Sequence, residues 1–171
     1  MYRLAHFTSK GTQHFLVTHS VNEASNFTGP VAATWYEFRA QGEGTTSLSL
    51  YQSGQTPNDG EYRWMGSVAM DKAGDIALGY SRSSAAAGDF PSIYYAGQKA
   101  GEPLGTTDTE ALIKQGTGFQ PDTNNRWGDY SSIALDGADS CTFWYANEYY
   151  DTDLRFNWAT WLASLKFPNC D

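Results

Sequence analysis

Residues 63–80 read RWMGSVAMDKAGDIALGY and residues 126–145 read RWGDYSSIALDGADSCTFWY, and the likeness of these two stretches decides the fold. Both open on Arg-Trp, run through small residues to an aspartate, turn, and enter a second run that ends on tyrosine. Asp71 aligns with Asp136, Ile76 with Cys141, Leu78 with Phe143 and Tyr80 with Tyr145. A further apolar run follows each, PSIYYAGQK at 91–99 and WATWLASLKF at 158–167. The N-terminal part fits the same frame without the Arg-Trp opening, as YRLAHFT (2–8), QHFLVTHSV (13–21) and VAATWYEFR (31–39). The period is about 60–65 residues, and a fixed period of this kind signals a repeat architecture.

The repeated unit reads as β-structure. Turn-forming clusters separate the runs: Ser9-Lys10-Gly11, Gly42-Glu43-Gly44, Pro57-Asn58-Asp59-Gly60, Lys72-Ala73-Gly74-Asp75 and Asp136-Gly137-Ala138-Asp139. No segment keeps apolar residues at helical spacing for three turns, whereas alternation and short buried runs recur. SLSLYQ at 47–52 and EALIKQ at 110–115 supply a fourth strand for the first two units. The expected fold is all-β, a β-propeller of three four-stranded blades at about 1–56, 57–120 and 121–171. Three blades leave two open sheet faces, so the expectation is half of a six-bladed ring, closed by homodimerisation or by blades of a longer chain.

Composition narrows the function. Of 171 residues, 40% are hydrophobic and 15% aromatic, which suits a packed β core and excludes disorder. The net charge of −8 argues against a protein that tracks nucleic-acid phosphates, and no basic amphipathic segment suits a membrane surface. Residues 1–20 carry no signal-peptide apolar core. Of the two cysteines, Cys141 lies in a strand-like run and Cys170 close to the end of the sequence. A bridge between them closes a loop of nearly 30 residues and is worth about 3 kcal/mol in the chain-entropy model. The alternative is a buried thiol and a terminal one. A bridge implies an oxidising compartment.

The stretches RWMGSVAMDKAGDIALGYS, PSIYYAGQ, PLGT, RWGDYSSIALD, CTFWYANEYY and SLKFPNC resemble the C-terminal half of large secreted bacterial proteins carrying a sialidase-like, BNR-type β-propeller. The resemblance covers nearly the whole chain and implies a secreted protein with a glycan-directed site at the channel mouth. Enzymes of the sialidase type use an arginine cluster for a carboxylate, a Tyr–Glu nucleophilic pair and an aspartate acid. The motif Ser-x-Asp-x-Gly-x-Thr-Trp of true sialidases is present only in degraded form, around Gly137–Phe143 and Met70–Ile76.

Carried onto this sequence, the resemblance implies Arg63, Arg126 and Arg82 as substrate-binding residues, suited to bidentate carboxylate recognition. It implies Asp129 as acid or base, and Tyr130 or Tyr145 with Glu148 as the nucleophilic pair. The bland alternative for Arg63 and Arg126 is a structural role repeated in each unit, and Asp71 and Asp136 read as turn residues. Asp129 departs from the repeat. His14 and His19 differ in strand parity, so no metal site is expected, nor any cofactor. Three classes of function remain open: a glycan-directed hydrolase, a non-catalytic propeller module that binds carbohydrate or protein, and a metal-assisted esterase or phosphoesterase.

Overall fold

The computed structural model describes residues 4–24, 28–42, 47–121 and 126–171. Residues 2–3 of the expected first strand and 43–44 of the second turn cluster lie outside them. Among the described residues there is no helix, and eleven strands form three antiparallel sheets of 4, 4 and 3 strands. The first sheet runs in order β1 (Ala5–Ser9), β2 (Thr12–Asn22), β3 (Val31–Gln41) and β4 (Ser49–Gln55). The second runs β5 (Tyr62–Met70), β6 (Ile76–Ser83), β7 (Ser92–Gln98) and β8 (Ala111–Lys114). The third joins β9 (Ser132–Leu135) to β10 (Thr142–Tyr149) and β10 to β11 (Ala159–Lys166).

Two expectations need correcting here. The third sheet has three strands among the described residues, not four. After Lys166 the chain turns back, and the Cys141–Cys170 disulfide ties it beside the start of β10 instead of letting it run alongside β11. The strand expected over Trp127–Leu135 shrinks to Ser132–Leu135. Its earlier half is drawn off by side-chain contacts described below.

The turns follow local chemistry. Ser9 pairs with Thr12 across a two-residue loop in which Lys10 and Gly11 have φ of 50° and 80°. Such a turn matches the twist of the flanking strands and favours glycine. In β5 the register slips between Trp64 and Ser67, and Met65 sits at φ 52°, so this strand bends where it passes the neighbouring sheets.

Packing is face to face. β5 lies against β2 and β3, while β10 lies against β6 and β7. One apolar cluster, including Leu16, Trp35, Val68, Met70 and Leu78, joins the first two sheets. Another, including Ala77, Ile93, Ile133, Phe143 and Tyr145, joins the second and third. The second sheet is thus covered on both sides, and residues 76–81 of β6 are all buried. A strand covered on both faces reads as a continuous apolar run and not as alternation. Gly79 is part of that fit: a Cβ there would lie 2.4 Å from the Tyr145 ring.

Candidate functional site

The stretch Pro57–Tyr62 leads into β5 with two acids, Asp59 and Glu61, just ahead of Arg63. Arg63 is fully buried, and its guanidinium donates at every position. Nε and Nη2 reach the Glu110 carboxylate at 2.5 and 2.7 Å, and Nη1 and Nη2 reach Asp59 at 2.8 Å each. Nη1 also donates to the Pro57 carbonyl and Nη2 to Glu61. Arg82, paired across the strands with Arg63, donates to Glu61 and lies over the Tyr94 ring at 4.5 Å. Tyr80 donates to Glu110 at 2.6 Å.

Burial opposes the charge on Glu110, but hydrogen bonds from Arg63 and Tyr80 outweigh it and hold the carboxyl below its ordinary range. The bond from Arg63 likewise lowers Asp59 to about 2. Asp59, Glu61 and Glu110 are grouped closely enough to bracket a cation. Arg63 already supplies the positive charge among them. Arg63 therefore offers no free fork to a carboxylate ligand, and Arg82 is joined to the same network through its Nε.

Arg126 lies elsewhere. It is exposed and pairs at 3.0 Å with Asp129, also exposed. The segment from Trp127 to Ser131 is pinned at its far end, where the Ser131 hydroxyl donates to the Met65 carbonyl at the β5 bulge. At its near end Trp127 packs edge-on against Trp64 at 5.1 Å and tilted against Tyr150 at 5.5 Å. These contacts take the segment out of a strand and open two adjoining cavities. The larger, about 610 Å³, lies between Tyr62, Trp64, Phe90, Phe119 and Trp127. The smaller, about 370 Å³, is lined by Arg126, Trp127, Asp129, Tyr130, Glu148 and Trp158. Trp127 and Arg126 border both.

Of the two acids of the smaller cavity, Asp129 is exposed and Glu148 is half-buried. A Cβ on Gly128 would lie 1.3 Å from Glu148 Oε2, so the carboxyl fills the space that a side chain at position 128 would need. Burial, and then the charge of Asp129, raise its carboxyl above the ordinary value. The indole N–H groups of Trp127 and Trp158 are buried and have no hydrogen-bond partner among the described residues, although both side chains border this cavity.

Of the residues expected at the site, Asp129, Tyr130, Glu148 and Arg126 come together, while Arg63, Arg82 and Tyr145 do not. Tyr145 is buried among the residues joining the second and third sheets, and its hydroxyl accepts from Asn147 at 2.7 Å. Burial raises its phenol well above the ordinary value. Along β10, Phe143, Tyr145, Asn147 and Tyr149 share the buried face, and Glu148 is on the other. Tyr145 and Glu148 thus cannot act as a pair.

The aromatic walls, above all Trp127 and Trp158, were not named as site residues from sequence. Their signal was an unusual tryptophan content with no way to tell core from cleft. The histidines do not converge: His14 bonds Glu37 at 2.8 Å, His19 stacks on Tyr36, and His6 rests on Phe15. No family model matches the chain, and no curated protein or solved structure matches it.

Proposed function

We propose that the paired cavities form the working site of a sialidase-like β-propeller that hydrolyses a neutral glycan, with Glu148 as general acid and Asp129 as its carboxylate partner. The observation that carries this reading is Glu148: a partly buried carboxyl, raised by burial and by Asp129, bordering an aromatic-walled cavity. A carboxyl whose proton is held more tightly by burial is suited to deliver it to the leaving oxygen, while a second carboxyl across the bond activates water or attacks the sugar. The aromatic side chains Trp127, Tyr130 and Trp158 along the cavity suit stacking against sugar rings. With Arg63 enclosed among carboxylates of the chain, Arg126 is the arginine of the expected cluster that borders both cavities, where Asp89 and Asp129 add acidic groups. That balance favours neutral over acidic sugars.

The aromatic lining favours a second reading as well, a cleft that binds glycan without cleaving it. A panel of chromogenic neutral glycosides and sialosides separates the two. Turnover of a neutral glycoside is the expected outcome. Tryptophan fluorescence quenched by neutral oligosaccharides without turnover supports the binding module, turnover of sialosides alone contradicts the neutral-glycan assignment, and no response at all removes both readings.

Ring closure belongs to the same proposal. The three sheets supply half of a six-bladed ring, and a second copy supplies the rest. Its support is the uncovered apolar surface on the outer sheets, with Leu50 on the first and Trp144 and Leu162 on the third exposed by 54%, 44% and 62%. Sedimentation is expected to give a dimer; a monomer at micromolar concentration counts against it. The disulfide is consistent with an extracytoplasmic location, which this reading adopts.

A further inference from the structure

One wall of the larger cavity is built by a segment outside the strands. β8 ends at Lys114, and residues 116–119 read Gly-Thr-Gly-Phe. This stretch threads between the second and third sheets. The Gly116 N–H donates to the Ser92 hydroxyl at 2.8 Å on one side, and the Thr117 N–H to the Tyr150 carbonyl at 2.8 Å on the other. The Phe119 N–H donates to the Asp153 carboxylate at 3.0 Å. A Cβ on Gly116 would lie 2.2 Å from the Pro91 carbonyl oxygen, and one on Gly118 2.3 Å from the Thr152 backbone, so only glycine lets the chain pass. Phe119 is thereby delivered to Phe90, the two rings stacked at 6.4 Å and nearly parallel.

The rest of the wall comes from the repeat. Arg-Trp opens two successive units, and the fold brings their tryptophans together, Trp64 edge-on to Trp127. Trp127 packs on Tyr150, and Tyr150 on Trp158 at 6.4 Å. Aromatic contact therefore runs unbroken from Trp64 in the larger cavity to Trp158 in the smaller, and Trp127 borders both. Ser83, Ser84 and Asp89 set hydrogen-bonding groups among the rings of the larger cavity. Its charged side chains among the described residues are one acid, Asp89, and one base, Arg126.

Volume decides how much ligand this wall serves. Clefts that take small molecules run from about 300 to 1,000 Å³. The smaller cavity, about 370 Å³, is near the bottom of that range, and the larger, about 610 Å³, near its middle. A single sugar ring beside Glu148 engages the smaller cavity and leaves most of the aromatic wall without a role. A chain of rings uses all of it, stacking its C–H faces on the aromatic side chains while its hydroxyls reach the serines and Asp89. We propose that the substrate is a neutral oligosaccharide of several rings, with the bond to be cleaved at Glu148 and the further rings along Trp127, Phe90 and Phe119. This rests on the glycan reading of the smaller cavity and adds the length of the chain and the place where it is gripped. Contacts far from the reacting bond are spent on positioning it, so a truncated substrate loses kcat as well as affinity.

The test uses para-nitrophenyl glycosides of glucose, galactose, mannose and N-acetylglucosamine, each series with one, two and three rings. Turnover is paired with calorimetric titration of the matching free sugars into Glu148→Gln. In the series that is accepted, kcat/KM is expected to rise about tenfold or more from one ring to three, and affinity to rise with it. Phe90→Ala and Phe119→Ala, the second at an exposed side chain, are expected to remove most of that rise. Turnover that ignores chain length overturns the inference and leaves the hydrolase standing, as does a length dependence that survives both phenylalanine substitutions. Affinity that grows with length and falls in the two variants, without turnover of any substrate, removes the hydrolase and supports the extended cleft. Neither turnover nor binding overturns both. The length dependence of the wild-type chain decides the matter if neither variant folds.

Discussion

Arg63 and Arg126 stand at the same place in two successive repeats, each followed by tryptophan, and their surroundings are opposite. Arg63 is enclosed and donates to three carboxylates, while Arg126 is exposed with Asp129 as its partner. The difference arises from what each repeat places around the shared motif. The second unit supplies Asp59, Glu61 and Glu110, which balance a buried guanidinium, whereas Arg126 pairs with the exposed carboxylate of Asp129. A repeated motif therefore fixes position in the fold without fixing role. The copy whose surroundings diverge is the one beside the cleft.

Substitutions can break this contrast. Arg63→Met strips the charge from a buried network and leaves Glu110 and Asp59 uncompensated, so it is expected to cost about 3–5 kcal/mol in denaturant unfolding. Reducing the Cys141–Cys170 bridge is expected to cost about 3 kcal/mol and to loosen the tail before the first two sheets, which hydrogen exchange would register. Gly79→Ala forces a methyl into the Tyr145 ring and is expected to cost about 1–3 kcal/mol, against little for Gly137→Ala, where a Cβ meets nothing within 4 Å.

The pH dependence has a definite sign. Asp59 and Glu110 are depressed in the folded state, so the stability they contribute is complete above their unfolded values and is lost as pH falls through the folded ones. Acid unfolding is expected between about pH 4 and pH 2, and Arg63→Met should flatten that limb. The smallest effect closes the comparison: Arg126→Ala is expected to change stability by less than about 0.5 kcal/mol while weakening glycan binding. A large stability loss at Arg126 would erase the distinction between the two repeats.

Much of the sheet framework was legible. The repeat of Asp71–Tyr80 in Asp136–Tyr145 located the β5–β6 and β9–β10 hairpins, and the unbroken apolar run of β6 reflects cover on both faces. The burial of Arg63 was not legible, because Glu110 reaches it from 47 residues away. Nor was the retreat of β9, which depends on Ser131 bonding the Met65 carbonyl and on Trp127 packing against Trp64 and Tyr150. The separation of Tyr145 from Glu148 was available from parity alone, since residues three apart on one strand face opposite sides. The resemblance offered Tyr130 or Tyr145 as partner of Glu148, and strand parity sets Tyr145 on the opposite, buried face.

The central claim is that Glu148 works as an acid in the cleft, and the most direct test compares kcat/KM of Glu148→Gln with that of the wild-type chain on a neutral glycoside. The account predicts a loss of about 10²-fold or more, with unfolding curves and oligosaccharide binding retained and with wild-type activity falling as rising pH deprotonates Glu148. Turnover unchanged by the substitution would contradict it.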